Sequence, residues 1–374
     1  MSGTDSLGQS RRILIIKPSS LGDIVHAFPM VEQILHHEPD ARIDWVANSE
    51  FVPLVRRHPG IHRVLSFPRK EWGSPSFFSS LKNFINDLRT ERYDYILDAQ
   101  GLLRSALIAR TALGKEIVGF SDAREGASFF YSRKIRIPRI PENSLHAVRK
   151  NLLLLESMGL PPDIRNVSVT YTEKDRMDLA SLMSEEGFSG KEPYIVLHPG
   201  AKRSIKQWPS PYFSDLLTRL KSAFPHISLV LIGSHEDKAL LSEIAGRTRA
   251  EPLILPGKIP IDLLPLFFSG ALLYIGNDSG PLHLAVMSGT RTISFYGSSS
   301  PARTGPFGEP GMHMTLGDPV PCSPCGDFRR FCSHQSCLVG VTPEVVLDRA
   351  LALIVTENMN IRKDAGEVVS RKSA

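Results

Sequence analysis

Short apolar runs alternate with amphipathic segments along the first half of the chain. Residues 11–17 form an isoleucine-rich run, which is typical of a strand buried on both faces. A turn-prone stretch follows at 18–23, and the pattern then predicts a helix over 24–35. The order recurs, with predicted strands at 43–46, 64–65 and 95–98 and predicted helices at 51–57 and 77–89. This alternation predicts a parallel sheet with right-handed crossovers.

A polar stretch at 161–193 interrupts this pattern, which restarts with a predicted strand at 194–197. Later strands are predicted at 229–232, 273–275 and 292–295, and a final helix opens at Thr342-Pro343 and runs to about Val355. We therefore expect an α/β protein of two Rossmann-like domains over 1–175 and 190–345, with a helix and frayed tail at 346–374. Doubly wound folds bind ligands at the carboxyl ends of their strands, so we expect a cleft between the two sheets.

The composition is that of an ordinary globular protein, with 42% hydrophobic and 22% charged residues among 374. No apolar run reaches the roughly 18 residues of a membrane span, and the first residues lack the apolar stretch of a signal peptide. We therefore expect a cytoplasmic protein. The net charge of +5 favours anionic partners, namely phosphorylated small molecules, an acidic membrane surface or nucleic acid, without choosing among them.

Four cysteines lie close together in the pattern C-x2-C-x6-C-x4-C, at Cys322, Cys325, Cys332 and Cys337. In a reducing compartment, such clustering favours a structural zinc or other thiolate-bound metal over disulfides. The spacing is not that of a standard zinc ribbon, so four unligated thiols are the alternative. A full shell of four thiolates leaves no open position, so either outcome implies a structural role.

Two predicted loops carry charged residues at the carboxyl ends of strands. Asp23 stands at the start of the first predicted helix, where it is either a capping acid or a base that takes a proton from an acceptor hydroxyl. Lys202, Arg203 and Lys206 follow the strand at 194–197, where they form either a phosphate cradle or a solvated basic loop. Lys206 is the candidate for neutralising a departing diphosphate.

A third segment, 275–285, predicts a strand, a turn of small residues and a helix start. Free backbone N–H groups at a helix start bind phosphate. Asp278, Ser279, Gly280 and His283 would surround this point. The alternative is a purely structural tight turn, with an aspartate that caps it and a histidine on the helix face. Such a turn would need fewer polar residues than this segment contains.

The segments KPSSLGDIVH at 17–26 and NDSGPLHLA at 277–285 resemble glycosyltransferase family 9, and the resemblance spans about 13–355. DAQGLLRSA at 98–106 and SDAREGASFFYSR at 121–133 are more similar to heptosyltransferase I than to heptosyltransferase II. Two features depart from well-known members of the family. The cysteine cluster is absent from some of them, and Gly126 stands where they often have proline.

The resemblance implies a GT-B fold whose N-terminal domain holds the acceptor and whose C-terminal domain holds ADP-heptose. It implies Asp23 as catalytic base and Lys206 as the lysine on the donor phosphates. Further donor-binding positions that it implies are Glu236, on the adenosine ribose, and Asp278, Ser279, Gly280 and His283. The acceptor-binding positions that it implies are Ser20, Gly22, Arg69, Lys70 and Arg124.

The activity implied is inverting transfer of heptose from ADP-L-glycero-D-manno-heptose to the Kdo region of lipid A, in synthesis of the lipopolysaccharide inner core, with no catalytic cofactor. Heptosyltransferase II or another family 9 transferase is one alternative. A non-catalytic nucleotide- or nucleic-acid-binding protein is the other, although we expect no nucleic acid partner. We expect peripheral contact with the inner face of the inner membrane through basic residues and the aromatic residues Phe77, Phe78, Phe129 and Phe130, whose alternative place is the core.

Overall fold

The computed structural model describes residues 10–138, 145–190, 192–326 and 332–354. The chain divides into two compact units, Met1–Tyr171 and Thr172–Ala374. Each unit contains a six-stranded sheet in which every neighbouring pair of strands is parallel. Among the described residues, no helix combines the length and apolar character that crossing a membrane requires.

The first unit alternates strands with helices. Its strands are β1 (Arg12–Ile16), β2 (Arg42–Asn48), β3 (Arg63–Phe67), β4 (Arg92–Asp98), β5 (Leu113–Phe120) and β6 (Arg133–Ile135). Its α-helices are α1 (Leu21–Val25), α2 (Phe28–His37), α3 (Val52–Val55), α4 (Phe77–Leu88), α5 (Leu103–Thr111) and α6 (Ala147–Leu152), with 3-10 helices at Ser49–Phe51, Arg69–Glu71, Ala127–Phe130 and Leu153–Met158. The strand order is β3-β2-β1-β4-β5-β6.

The central position of β1 explains its composition. Ile13, Leu14, Ile15 and Ile16 are fully buried because helices cover both faces of the sheet and β2 and β4 flank the strand. The single helix predicted over 24–35 is instead two helices, α1 and α2. Pro29 lacks an N–H group and its ring clashes with the carbonyl four residues earlier, so α1 cannot continue through it, and α2 starts afresh at Phe28 with the proline in its first turn.

The second unit repeats the arrangement. Its strands are β7 (Tyr194–His198), β8 (Ser228–Gly233), β9 (Leu253–Pro256), β10 (Leu273–Asn277), β11 (Thr292–Phe295) and β12 (His313–Leu316). Its α-helices are α7 (Glu173–Glu185), α8 (Ser210–Ala223), α9 (Lys238–Gly246), α10 (Leu264–Ser269), α11 (Gly280–Met287), α12 (Pro301–Thr304), α13 (Ser336–Val339) and α14 (343–354), with 3-10 helices at Ser204–Lys206 and His235–Asp237. The strand order is β12-β11-β10-β7-β8-β9.

Aromatic packing forms the centre of the second core. The ring of Trp208 stacks on that of Phe295, with centroids 4.4 Å apart, and its edge meets Phe213. The indole N–H of Trp208 donates to Val341 O at 2.8 Å, so the buried polar group is satisfied. Because Trp208 follows Lys206 by two residues, this packing also anchors the loop after β7.

Both sheets have the doubly wound order, which confirms the predicted pair of Rossmann-like domains. In such a sheet, successive connections leave the first strand in opposite directions, and ligands bind beside the carboxyl ends at that switch point. The switch point lies between β1 and β4 in the first unit and between β7 and β10 in the second. Loops at these two places therefore position the candidate functional residues.

Candidate active site

Asp23 lies at the start of α1, in the loop that follows β1. The backbone N–H and the hydroxyl of Ser20 both donate to Asp23 Oδ2, at 3.0 and 2.7 Å. This is a capping box, in which the side chain of the third helical residue reaches back to the N-cap. The capping role that the sequence left open is therefore realised. It orients the half-buried carboxylate at the carboxyl end of β1, and Ser20 and Gly22 belong to the same turn.

A buried lysine lies near this carboxylate. Lys17 is 7% exposed, and its ammonium donates to Ala99 O at 2.7 Å, which joins the loop after β1 to the loop after β4. Burial lowers the pKa of Lys17, and the negative charges of Asp23 and Asp98 oppose that effect. The sequence analysis did not select Lys17 as a site residue, although a lysine ending an isoleucine-rich strand was an available signal.

Asp98 shapes the loop after β4. Its carboxylate is fully buried and accepts hydrogen bonds from the backbone of Gln100 and Gly101, from Ser105 Oγ and from Tyr131 Oη. Burial raises the pKa of Asp98, and these four bonds oppose the rise by stabilising its charged form. A fully satisfied buried carboxylate of this kind fixes the backbone around it.

Three exposed cations extend the first loop region. Arg69 and Lys70 lie in the 3-10 helix after β3, and Arg124 follows β5, where its N–H donates to Gly101 O at 3.0 Å. All follow the carboxyl ends of parallel strands, as Asp23 does, so the fold brings these predicted acceptor residues to one edge of the sheet. Gly126 has φ +74°, which proline cannot adopt, so a proline at this position would require a different local backbone.

In the second unit, Lys206 and Asp278 form an ion pair. Lys206 Nζ lies 2.5 Å from Asp278 Oδ2, and the hydroxyl of Ser299 donates to the same oxygen. The Asp278 side chain is 6% exposed and the Lys206 side chain 22% exposed. The loops after β7, β10 and β11 thus meet at one carboxylate. The sequence pointed to Lys206 and Asp278 separately, and the fold joins them.

Asn277, the last residue of β10, holds this arrangement together. Its Nδ2 donates to Pro199 O at 2.7 Å, and its Oδ1 accepts from Trp208 N at 2.9 Å. Asn277 is fully buried, so both bonds are shielded from water. They clamp both ends of the loop that carries Lys206. The sequence analysis did not select Asn277 as a site residue, although a polar residue at the end of an apolar strand was the available signal.

The other predicted donor residues surround the start of α11. Ser279 is its N-cap and its hydroxyl lies 3.2 Å from His198 Nδ1, while the helix begins at Gly280. Burial lowers the pKa of His198 to about 4, so its ring is neutral at pH 7. His283 is buried, with Nε2 3.9 Å from Asp278 Oδ1. The backbone N–H groups at this helix start favour an anionic ligand.

Glu236 and the cysteines occupy different surroundings. Glu236 is exposed in the 3-10 helix after β8, at the same sheet edge as Lys206. Cys337 is buried, Cys322 is exposed, and all four thiols are free. Within the described ranges, no three His, Cys, Asp or Glu side chains are placed to share a metal ion. The thiolate shell favoured by the cysteine spacing is therefore not formed by these residues.

Two doubly wound domains, with a cation and a helix start at the switch point of the second, define the GT-B class of glycosyltransferases. The profile of glycosyltransferase family 9 (heptosyltransferase) matches residues 81–336. Lipopolysaccharide heptosyltransferase 1 of Pseudomonas aeruginosa is 30% identical over 337 residues, which cover 87% of this chain and 88% of that protein. The chain belongs to glycosyltransferase family 9, which confirms the resemblance and the prediction of an enzyme.

Solved structures agree with this assignment. The structure of Escherichia coli heptosyltransferase WaaC with ADP superposes with a TM-score of 0.73 at 25% identity, covering 91% of this chain and 99% of that one. The structure of E. coli ADP-heptose lps heptosyltransferase II superposes with a TM-score of 0.75 at 21% identity, covering 93% and 99%. The second comparison supports the fold alone.

Proposed function

We propose that this enzyme transfers heptose from ADP-L-glycero-D-manno-heptose to a Kdo residue of lipid A. The observation that carries the donor assignment is the Lys206–Asp278 ion pair beside the start of α11. Of the related proteins, those from P. aeruginosa and E. coli K12 are named lipopolysaccharide heptosyltransferase 1, and WaaC has been solved with ADP-2-deoxy-2-fluoro heptose.

The donor side stabilises the leaving group. Lys206 lies at the carboxyl end of β7 and presents a positive charge that Asp278 orients before substrate arrives. With the N–H groups at the start of α11, this charge stabilises the diphosphate as the bond from the anomeric carbon to the ADP oxygen breaks. Ser279, Gly280 and His283 surround the phosphates, and Glu236 accepts hydrogen bonds from the adenosine ribose. These groups supply the stabilisation without a catalytic metal.

The acceptor side activates the nucleophile. Asp23 takes the proton from a Kdo hydroxyl while that oxygen attacks the anomeric carbon, so the configuration inverts. Ser20 and Gly22 hold the turn that presents Asp23. The exposed cations Arg69, Lys70 and Arg124 bind the phosphates and carboxylates of the Kdo-lipid A acceptor.

Contact with the inner face of the inner membrane follows from the acceptor. Phe78 is 79% exposed and Phe129 is 85% exposed, at the same sheet edge as Arg69 and Arg124. Exposed aromatic and basic side chains together suit an anionic lipid surface. Phe77 is buried and Phe130 packs against the core, so these two side chains belong to the protein interior and not to the proposed membrane-contacting surface.

The direct test combines ADP-heptose with Kdo-lipid A and measures ADP release and the mass of the lipid product, with and without EDTA. The proposal expects a mass gain of one heptose and ADP release that depends on both substrates and is unchanged by EDTA. An acceptor that already carries the first heptose tests for heptosyltransferase II. A product only with that second acceptor would contradict the assignment. Elemental analysis of the purified chain measures whether it binds zinc or another metal, as the cysteine spacing predicts.

A further inference from the structure

The cap of α11 is formed by a serine whose side chain does not bond to the helix. Ser279 is the N-cap residue, and within the described range 192–326 its hydroxyl makes no hydrogen bond to the helix backbone. An N-cap serine ordinarily accepts from the N–H group of the second or third helical residue. Here the second helical residue is Pro281, which has no N–H group. The Ser279 hydroxyl is therefore available to other partners.

The Ser279 hydroxyl contacts the side chain of His198. This histidine is the last residue of β7, and its Nδ1 lies 3.2 Å from Ser279 Oγ. His198 is 6% exposed, and the ring of Tyr274 stacks on it, with centroids 6.4 Å apart and an angle of 24° between the planes. The imidazole is therefore fixed by the protein interior before any ligand arrives.

A glycine in β10 permits this packing. Gly276 pairs with His198 in the parallel register of β10 and β7. A Cβ on Gly276 would lie 2.8 Å from Tyr274 Oη and 2.9 Å from His198 O, closer than real contacts allow. A side chain at this position would therefore displace Tyr274 or the end of β7 that carries the imidazole.

The protonation of the imidazole decides which group donates to the other. Burial lowers the pKa of His198 to about 4, so at pH 7 the ring is neutral and only one of its nitrogens carries a proton. If Nδ1 has no proton, it accepts from the Ser279 hydroxyl, and only lone pairs of Oγ remain for a ligand. If Nδ1 carries the proton, it donates to Oγ, and the hydroxyl can donate to a ligand.

The donor phosphates require the second arrangement. Ionised phosphate oxygens accept hydrogen bonds, so Ser279 helps to bind them only if its O–H group points toward the ligand. We infer that His198 is a positioning residue, which donates from Nδ1 to Ser279 Oγ and thereby directs the Ser279 hydroxyl to the diphosphate of the donor. This inference rests on the proposed function, in which Ser279 contacts those phosphates.

The test compares His198→Asn with His198→Leu in the full chain. The asparagine amide places an N–H donor near the position of Nδ1, whereas leucine, of similar size, offers none. In calorimetric titration with ADP, His198→Leu should bind about tenfold more weakly, since one hydrogen bond to a charged ligand is lost. His198→Asn should bind as the wild type does. When Ser279→Ala is already present, His198→Leu should weaken ADP binding no further, because the two residues act as one unit.

His313→Leu is the matched control. His313 Nδ1 lies 3.1 Å from Thr292 Oγ1 in the same unit, and burial lowers the pKa of His313 to about 4. Both residues begin their strands, so this pair lies at the opposite sheet edge from the donor site. His313→Leu should leave ADP affinity unchanged. If it weakens ADP binding as much as His198→Leu does, the effect is a general one of stability and the inference is overturned.

ADP binding needs neither acceptor nor heptose transfer, so its measurement separates this inference from the proposed function. The inference is overturned if His198→Leu binds ADP as the wild type does, if His198→Asn binds as weakly as His198→Leu, if the losses in the double variant add, or if the wild type binds no ADP.

The tautomer can be read directly, even if the leucine variant does not fold. Proton–nitrogen correlation NMR of the wild type with labelled histidine and bound ADP shows which ring nitrogen carries the proton, and the signal missing from His198→Asn identifies the residue. A neutral ring protonated on Nδ1 supports the inference, and one protonated on Nε2 overturns it.

Discussion

Lys206 and Asp278 are 72 positions apart in sequence, yet their charged groups lie 2.5 Å apart at the switch point of the second sheet. Asp278 is almost fully buried and also accepts from Ser299. A buried carboxylate with these partners orients the ammonium before any ligand arrives, which reduces the reorganisation needed during the reaction. The ion pair is therefore part of the donor site as well as of the fold.

Replacing Lys206 by methionine should reduce kcat by about 100-fold or more, because one cationic group on the leaving diphosphate is lost. It also leaves the Asp278 carboxylate buried without its cation, which should lower the free energy of unfolding by roughly 1–3 kcal/mol. The double variant Lys206→Met, Asp278→Asn should regain stability without regaining turnover. Steady-state kinetics and urea unfolding measure both effects, and recovery of turnover in the double variant contradicts the assignment.

Asp23→Ala should abolish turnover and leave ADP-heptose affinity nearly unchanged, because the proposed base is lost while the donor site is intact. It should also cost about 1 kcal/mol of stability through loss of the capping box. Asp23→Asn keeps a side chain that can accept from Ser20, so it serves as the control for the cap. Substantial turnover by either variant would remove Asp23 from the mechanism.

Asn277→Leu should raise the KM for ADP-heptose and destabilise the protein by roughly 2–4 kcal/mol. Trp208 N and Pro199 O both lose their partner in the protein interior. Asn277→Asp retains the acceptor for Trp208 N but loses the donor to Pro199 O and buries a carboxylate against that carbonyl, so it should also destabilise the protein. Thermal unfolding and donor titration check this, and a donor KM equal to that of the wild type in Asn277→Leu would show that the clamp does not position Lys206.

The stability should fall as the pH decreases from 6.5 toward 4. Burial lowers the pKa of His198 to about 4, whereas in the unfolded chain it is near 6.5, so the unfolded state binds more protons in this window. The protein has its full stability, as far as His198 is concerned, above pH 6.5. By pH 4 it has lost about 3 kcal/mol of unfolding free energy through this histidine. In His198→Gln, the unfolding free energy should change less between pH 7 and pH 4, as urea titrations at both pH values would measure. An identical pH dependence would contradict the assignment.

Phe78→Ser combined with Phe129→Ser should weaken binding to anionic vesicles several-fold, because two exposed aromatic side chains no longer enter the interface. Flotation with phosphatidylglycerol vesicles measures this binding. Met177→Ser, at a side chain that is 65% exposed in the second unit, is the matched control. Equal flotation of all three proteins would exclude these phenylalanines from membrane contact.

The sequence alone determined the α/β class and the main strands, because burial of a central strand on both faces requires a continuous apolar run that is visible locally. Strands β5, β6, β9 and β12 were not predicted. The sequence of β5 includes glycine, lysine and glutamate, and the other three are edge strands of three or four residues. Edge strands are half exposed, so β6 and β12 do not need the apolar run that identifies a central strand, whereas β9 does carry such a run, Leu253–Pro256, and its shortness hid it.

The motifs likewise placed Asp23, Lys206 and Asp278 at strand ends. Only the tertiary structure paired Lys206 with Asp278 and made Asn277 a clamp. These relationships join residues far apart in sequence. The spacing of residues along a chain does not predict which loops will be adjacent at a sheet edge. The order of strands decides that, because it brings the ends of β11, β10 and β7 side by side.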